Sequence, residues 1–316
     1  NKTTAIKKVS RFLAGDSSAN DEHLENKYFV YLDIRNIGKN NSFEIKSTIT
    51  PFDALNKDLT YIYEGYDKNE KQPVLEVVDG KIVPSGSAGL AKIYICANDS
   101  ARSDDLQNPN NYSTKQVVYF KVADGNSERT SLEIEDAESL ASINNNKESL
   151  SKFYLITKDI NLSSYANWTP IGVIDGEVIE FTGTLNGLQV SKGEYTLSVI
   201  TGLRFNEEND KTLNYKGLFA KLGKGANIKN INITTQDINL TFNANSTNAE
   251  TYFGALAGTN NGNLKNVSVT YLNYQSENVT QEAIISQRSY KTYVGGIVGK
   301  NEQRGTIENC FVDGKL

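Results

Sequence analysis

The sequence predicts an all-β protein of two domains: a β-sandwich over residues 1–125, then a right-handed parallel β-helix over 126–316. Three segments near the C-terminus share one pattern: YKGLFAKLGKGANIKNINI, YFGALAGTNNGNLKNVSV and YVGGIVGKNEQRGTIENCFV. Their leading tyrosines, Tyr215, Tyr252 and Tyr293, are 37 and then 41 residues apart, and periods of that size mark stacked units. The first 125 residues carry about seven short alternating runs separated by turns, which is sandwich-like spacing. Composition agrees: 17 Tyr and 12 Phe against only 5 Pro and one Trp suit strands joined by polar turns.

Taken in order, the N-terminal runs are TAIKKVSRFL, KYFVYLDIRN, SFEIKSTITP, LTYIYEG, VLEVV with KIVP, LAKIYICA and QVVYFKVA. Asp79-Gly80 stands between VLEVV and KIVP, where a tight hairpin needs residues that accept positive φ. The stretch from Asp99 to Thr114 is polar, Asn-rich and aperiodic. It reads as a solvated insertion, with a binding loop as the rival, since rigid sandwiches display function on their loops. Its acids Asp99, Asp104 and Asp105 lack the alternating ligand spacing of a calcium loop.

From Asp124 to Thr130 the text turns to DGNSERT, and the domain boundary is expected there. LEIEDAESLASINNN follows, with Asp136 placed to N-cap a short helix whose Leu140 and Ile143 form one apolar face. A solenoid end exposes core and unpaired strand edge, so a covering helix is physically needed at the first coil.

Within the repeats, Gly217, Gly254 and Gly295 follow an aromatic by two, and small or aliphatic residues come next. Asn230, Asn266 and Asn309 then precede alternating runs: Ile231 and Ile233, Val267 and Val269, Cys310 and Val312. An asparagine at a corner tolerates a left-handed backbone and, stacked in register, passes side-chain hydrogen bonds from coil to coil. The expectation is two strands and two corners per unit, with strands of neighbouring coils roughly 4.8 Å apart. A helical reading fails because Gly and β-branched residues dominate and no 3.6 period holds.

Two resemblances follow. ITPFDALNKDLTYIYEG, LEVVDGKIVPSGSAGLAKIYICA and VVYFKVADG resemble the group 2 bacterial immunoglobulin-like domains found in tandem on cell-surface proteins, over about Tyr28 to Gly125. They depart from that pattern where a tryptophan usually stands, here Tyr61 or Tyr63, and in the long loop. FYLITKDINLSSYANWTPIG, FTGTLNGLQVSKGEYTLSVITGLRF and GLFAKLGKGANIKNINI resemble the GLUG-motif β-helix segments of large bacterial surface proteins, over about Leu132 to Val312. Those include adhesin-like proteins and the non-catalytic N-terminal regions of IgA-specific metallopeptidases. The resemblances imply an immunoglobulin-like sandwich ahead of a β-helix; a fold by itself carries no activity.

Chemistry-bearing motifs are sparse. The single histidine, His23 in DEHLEN, rules out a His-Glu-x-x-His zinc site and leaves no histidine-based triad in the repeats. Among the acids, Asp159, Asp175 and Asp237 sit at expected coil corners, where carboxylates satisfy turn backbones; paired carboxylates for glycan cleavage are the rival use. Trp168 reads as packing, with a sugar platform as rival. The two cysteines, Cys96 and Cys310, are expected to be unpaired core residues, Cys310 filling the slot of Ile231 and Val267. Charge is evenly spread, with 16 basic against 17 acidic residues up to Gly125 and 17 against 21 beyond, so no basic stripe invites nucleic acid. No stretch has the apolar length of a membrane span.

The expected role is therefore a non-catalytic stalk or adhesive segment of an extracellular bacterial surface protein. It would need no cofactor and would meet a host glycan, a host protein or neighbouring modules. The alternative is a polysaccharide-cleaving lyase or hydrolase built on the β-helix. The chain holds no methionine, and its third repeat closes at Val312 without a covering segment. These features lead to the expectation of an excised piece whose last coil meets more coils, another domain or a partner chain.

Overall fold

The computed structural model describes residues 6–8, 28–36, 42–45, 58–65, 73–79, 81–191, 194–210, 214–242, 250–275, 278–280, 284–287 and 291–314. The protein is all-β: strands dominate the described residues, and their one α-helix spans five residues. No helix among them is long and apolar enough to cross a membrane.

The chain divides into two compact units, Asn1–Leu132 and Glu133–Leu316, the division falling within the short strand Leu132–Ile134. The stretch DGNSERT is bonded back to the strand before it. The N–H groups of Asp124 and Gly125 both reach the Thr130 carbonyl, at 3.2 and 2.8 Å. The Thr130 hydroxyl donates to the Asp124 carboxylate at 2.6 Å, and the Lys121 ammonium donates to the Ser131 hydroxyl at 3.2 Å. These bonds tie the segment back onto the strand it leaves.

In the first unit the strands are β1 (Ile6–Lys8), β2 (Tyr28–Asp33), β3 (Leu59–Gly65), β4 (Leu75–Val78), β5 (Lys81–Pro84), β6 (Gly89–Ala97) and β7 (Lys115–Ala123). Five of them form a sheet in the order β1-β2-β7-β6-β3, with β2 and β7 parallel and the other pairs antiparallel. The hairpin β4-β5 turns through Asp79 at φ 50°, which an aspartate tolerates. Alternation places Val30, Leu32, Ala91, Ile93, Phe120 and Val122 on one face of the sheet. They share a core with Val74, Leu75 and Ile82 of the hairpin segment.

The second unit opens with the helical turns anticipated at its start. Helix α1 (Ala137–Ala141) is N-capped by Asp136, whose carboxylate accepts from Ser139 N–H at 2.8 Å while the Ser139 hydroxyl accepts from the Asp136 N–H. Leu140 and Ile143 are buried. The turns are joined to the first strands by backbone and side-chain bonds: the N–H groups of Thr182 and Gly183 to the Leu150 carbonyl, and Gly172 N–H to Asn144 Oδ1 at 2.7 Å.

Beyond them the repeats pair in parallel and in the register of the sequence alignment. Tyr215 lies against Tyr252 and Tyr252 against Tyr293; Ile231 lies against Val267, and Val269 against Val312. Each repeat places strand at three positions around the coil, a correction to the two expected. The first repeat gives Tyr215–Lys216, Phe219–Leu222 and Asn227–Phe242; the second gives Glu250–Phe253, Ala257–Asn260 and Asn263–Thr270. The third gives Lys291–Val294, Val298–Asn301 and the broken pair Thr306–Glu308 and Phe311–Asp313. The extra corner is made by the glycines: a Cβ on Gly217 would collide with the Gly254 carbonyl oxygen, and one on Gly254 with the Val298 backbone. What the sequence presents as one small-residue strand is two strands bent at a column of closely stacked backbones.

Two further rungs precede the three legible repeats in the last ladder. Its inward column runs Tyr154, Leu185, Ile228, Leu264, Ile307, and a second column runs Ile160, Ile200, Ile233, Val269, Val312. Every member is buried except those of the last rung. The strands Glu194–Asp210 and Asn227–Phe242 also run on past the corner, where Asn239–Phe242 pairs with Ile284–Gln287. This accounts for the inserted length within the repeats.

Candidate functional site

The column of repeat tyrosines brings several titratable groups of the second unit together. Tyr215, Tyr252 and Tyr293 stack with ring centroids 4.9 and 5.0 Å apart and planes within 5° and 7°. Parallel, in-register strands impose this: equivalent side chains on neighbouring rungs must lie one strand spacing apart, and flat rings fill that spacing. Two residues before Tyr252, Glu250 pairs in register with Lys291 of the next rung, and Nζ lies 3.4 Å from Oε1. Glu250 also accepts from both neighbouring hydroxyls, Tyr252 through Oε2 and Tyr293 through Oε1 at 3.3 Å. From the adjoining ladder Lys221 lies 5.3 Å from the Tyr215 ring, and Lys300 lies 6.0 and 5.8 Å from those of Tyr252 and Tyr293. Lys221 and Lys300 are held in place by Glu180 at 3.6 Å and Glu302 at 3.2 Å.

The electrostatics of the cluster oppose proton transfer. The Tyr252 hydroxyl and then the Lys291 ammonium hold the Glu250 carboxyl below the usual range. Burial and the Glu250 carboxylate hold the Tyr252 hydroxyl far above the usual tyrosine value. The Glu302 carboxylate raises the Lys300 ammonium. A carboxylate made more acidic is a weaker general base, and a phenol made less acidic is a weaker general acid. What the arrangement offers a ligand is a strip of aromatic edges, ammonium groups and fixed carboxylates.

The residues singled out in the sequence lie elsewhere, each in a structural role. Asp159 Oδ1 accepts from Val199 N–H at 2.9 Å and from Gln189 Nε2 at 3.1 Å. Asp175 turns the hairpin of Val173–Ile174 and Glu177–Val178 at φ 51°. Asp237 turns at φ 58° and pairs with Arg204 at 3.0 Å. Trp168 is buried, donates from Nε1 to the Leu218 carbonyl at 3.0 Å and meets Tyr165 edge-on, so its faces offer no sugar platform. His23 lies outside the described residues.

In the loop after β6, Tyr112 packs with Cys96 and Ile62 and donates to the Leu106 carbonyl at 3.1 Å, while Asn111 Nδ2 donates to the Asp105 carbonyl at 2.9 Å. Asp99, Asp104 and Asp105 form no metal cage: among the described residues, no group of three or more His, Cys, Asp or Glu could hold an ion. Tyr61 and Tyr63 lie on the edge strand β3, both substantially exposed, with the Tyr63 hydroxyl accepting from Val74 N–H at 3.1 Å.

Both cysteines are free. Cys96 is fully buried, and burial raises its thiol. Cys310 corrects the expectation of a buried slot: it is only half-buried, and its thiol donates to the Glu308 carbonyl at 3.3 Å. Its equivalents Ile231 and Val267 are covered by the next rung, and among the described residues Cys310 has none above it.

Sequence reasoning found the tyrosines but missed Glu250 and Lys291. Their pairing depends on which rung follows which, and neither recurs in the other repeats. The family model of the GLUG motif matches residues 291–316, which begin with Lys291 and contain the third repeat. No curated protein and no solved structure matches the chain.

Proposed function

We propose that the chain is a non-catalytic segment of an extracellular bacterial surface protein, serving as stalk or adhesive module, with an immunoglobulin-like β-sandwich ahead of a right-handed parallel β-helix. One observation carries the reading: the GLUG match falls on a repeat that pairs in parallel with the second repeat, which pairs in the same way with the first. The bonds that engage Asp159, the positive-φ positions of Asp175 and Asp237, and the contacts of Glu250 with Tyr252, Tyr293 and Lys291 support the non-catalytic part. Its partners are a host glycan, a host protein or neighbouring modules of the same surface protein.

The experiment is a binding screen of the 316-residue chain against immobilised host glycans and matrix proteins. An adhesive module gives saturable binding that weakens when Lys291 and Lys300 are changed to Ala. A pure stalk gives none and leaves polysaccharides intact. The rival reading, a polysaccharide lyase or hydrolase, is tested at the Glu250 cluster. It requires product formation that Glu250→Gln removes.

A further inference from the structure

The tyrosine column has a chemistry that ligand binding does not use. Tyr252 and Tyr293 sit opposite each other on parallel strands, with ring centroids 5.0 Å apart and planes within 7°. Both hydroxyls donate to one carboxylate: Tyr252 to Glu250 Oε2, and Tyr293 to Oε1 at 3.3 Å. Tyr215 stacks on Tyr252 as closely, at 4.9 Å, but among the described residues no carboxylate accepts from its hydroxyl. One base therefore serves both phenols of the later stacked pair and only one phenol of the earlier pair.

Removing an electron from a phenol turns a weak acid into a strong one, so the electron leaves readily only where the proton has an acceptor. Lys300, at 6.0 and 5.8 Å from the Tyr252 and Tyr293 rings, makes a ring that keeps its positive charge costly. Glu250 removes that obstacle. Too weak a base to deprotonate Tyr252 at rest, it takes the proton of the oxidised ring and leaves a neutral radical. Its side chain is 35% exposed, so it can hand each proton on to water before accepting the next. Two neutral radicals stacked face to face hold their ortho carbons against each other.

We infer that Tyr252 and Tyr293 form a site of oxidative cross-linking, where a diffusible one-electron oxidant closes a dityrosine bond between the second and third repeats. Each ring gives one electron to one equivalent of oxidant and its hydroxyl proton, through Glu250, to water. The two radicals join ortho carbon to ortho carbon, and the hydrogen on each joined carbon moves to its phenolic oxygen. In sum one C–C bond forms, two C–H bonds break, two oxidant equivalents are reduced and two protons are released. Tyr215, stacked but without the carboxylate, is the built-in comparison, because stacking alone would link it to Tyr252 as readily.

The test treats a dilute solution of the 316-residue chain with photogenerated tris(bipyridyl)ruthenium(III), a one-electron oxidant, and maps the digest of the monomeric fraction by mass spectrometry. The expected product is a peptide pair joined through Tyr252 and Tyr293, lighter by two hydrogen atoms than its parts and in excess over any pair joined through Tyr215 and Tyr252. Glu250→Gln, folded by circular dichroism, lowers the yield of the 252–293 pair severalfold while oxidation of the exposed Tyr195 is unchanged. The ratio of the two pairs in the unaltered chain is a readout that does not depend on the variant. Three results overturn the inference: dityrosine absent or formed only between chains, a 215–252 yield equal to or above that of 252–293, or a 252–293 yield that the folded Glu250→Gln chain retains in full.

Discussion

At Asn230 the backbone turns left-handed, with φ at 63°, while the side chain donates to Asn186 and accepts from Asn266. The sequence revealed both demands, because asparagine is the residue that meets them together. Asn230→Ala should lower stability by about 2–4 kcal/mol, from two lost side-chain bonds and a Cβ-bearing residue forced to positive φ. Asn230→Gly should recover about 1 kcal/mol of this, because glycine removes the conformational part alone. Urea unfolding of the two variants separates the contributions.

Glu250 gives a pH signature. Its folded carboxyl titrates below the usual range, so its stabilisation is present above the ordinary glutamate value and drains away as pH falls through the depressed folded value. Glu250→Gln should therefore flatten the acid limb of a stability profile. Tyr252 acts at the other end: its raised value makes its contribution full below about pH 10 and lost as pH rises beyond that. Tyr252→Phe should weaken the alkaline limb. Neither Glu250 nor its partner Lys291 was legible in the sequence, since the two meet only through register.

Among the elements, the inward column Tyr154, Leu185, Ile228, Leu264, Ile307 makes depth in the stack a measurable quantity. Leu264→Ala, in a covered rung, should cost about 2–5 kcal/mol. Ile307→Ala, in the rung with no described neighbour beyond it, should cost less than about 1 kcal/mol, because little apolar surface leaves water there. Denaturant midpoints of the two variants check this gradient. The same geometry explains why Cys310 is only half-buried where its slot implied burial, and it predicts that native Cys310 reacts with a thiol reagent far faster than Cys96.

The elements that sequence periodicity found are those that repeat: the tyrosine strands, the asparagine corners and the alternating runs after them. It missed the division of the small-residue stretch into two strands, because the corner is made by backbone meeting backbone at Gly217 and Gly254 and leaves no polar turn residue to read. It also missed the two early rungs as members of the repeat. Phe153–Ile156 and Thr184–Asn186 lack the leading tyrosine and glycine, and only register joins them to the later rungs. The capping turn at Asp136 was legible because a capping box is a local signal.

Over the whole molecule, composition and period sufficed for the all-β class, and the Asp124–Thr130 bond lies within the first unit, Asn1–Leu132. Function was less legible: repeats report how a chain stacks, while a ligand is chosen by the side chains that stacking leaves outward. The central claim, a surface module without catalysis, rests on the bonds that engage Asp159 and Asp237 and on the electrostatics around Glu250, whose carboxyl is held low while the Tyr252 hydroxyl is held high. The most direct measurement is product formation from a panel of acidic and neutral polysaccharides, followed by reducing-end and unsaturated-sugar assays with the intact chain beside Glu250→Gln. The account predicts that both proteins leave every substrate at the no-enzyme baseline across pH 4–10, a range of about this width covering ordinary carboxylate and phenol titration. Turnover by the intact chain that Glu250→Gln abolishes without unfolding it would contradict the account.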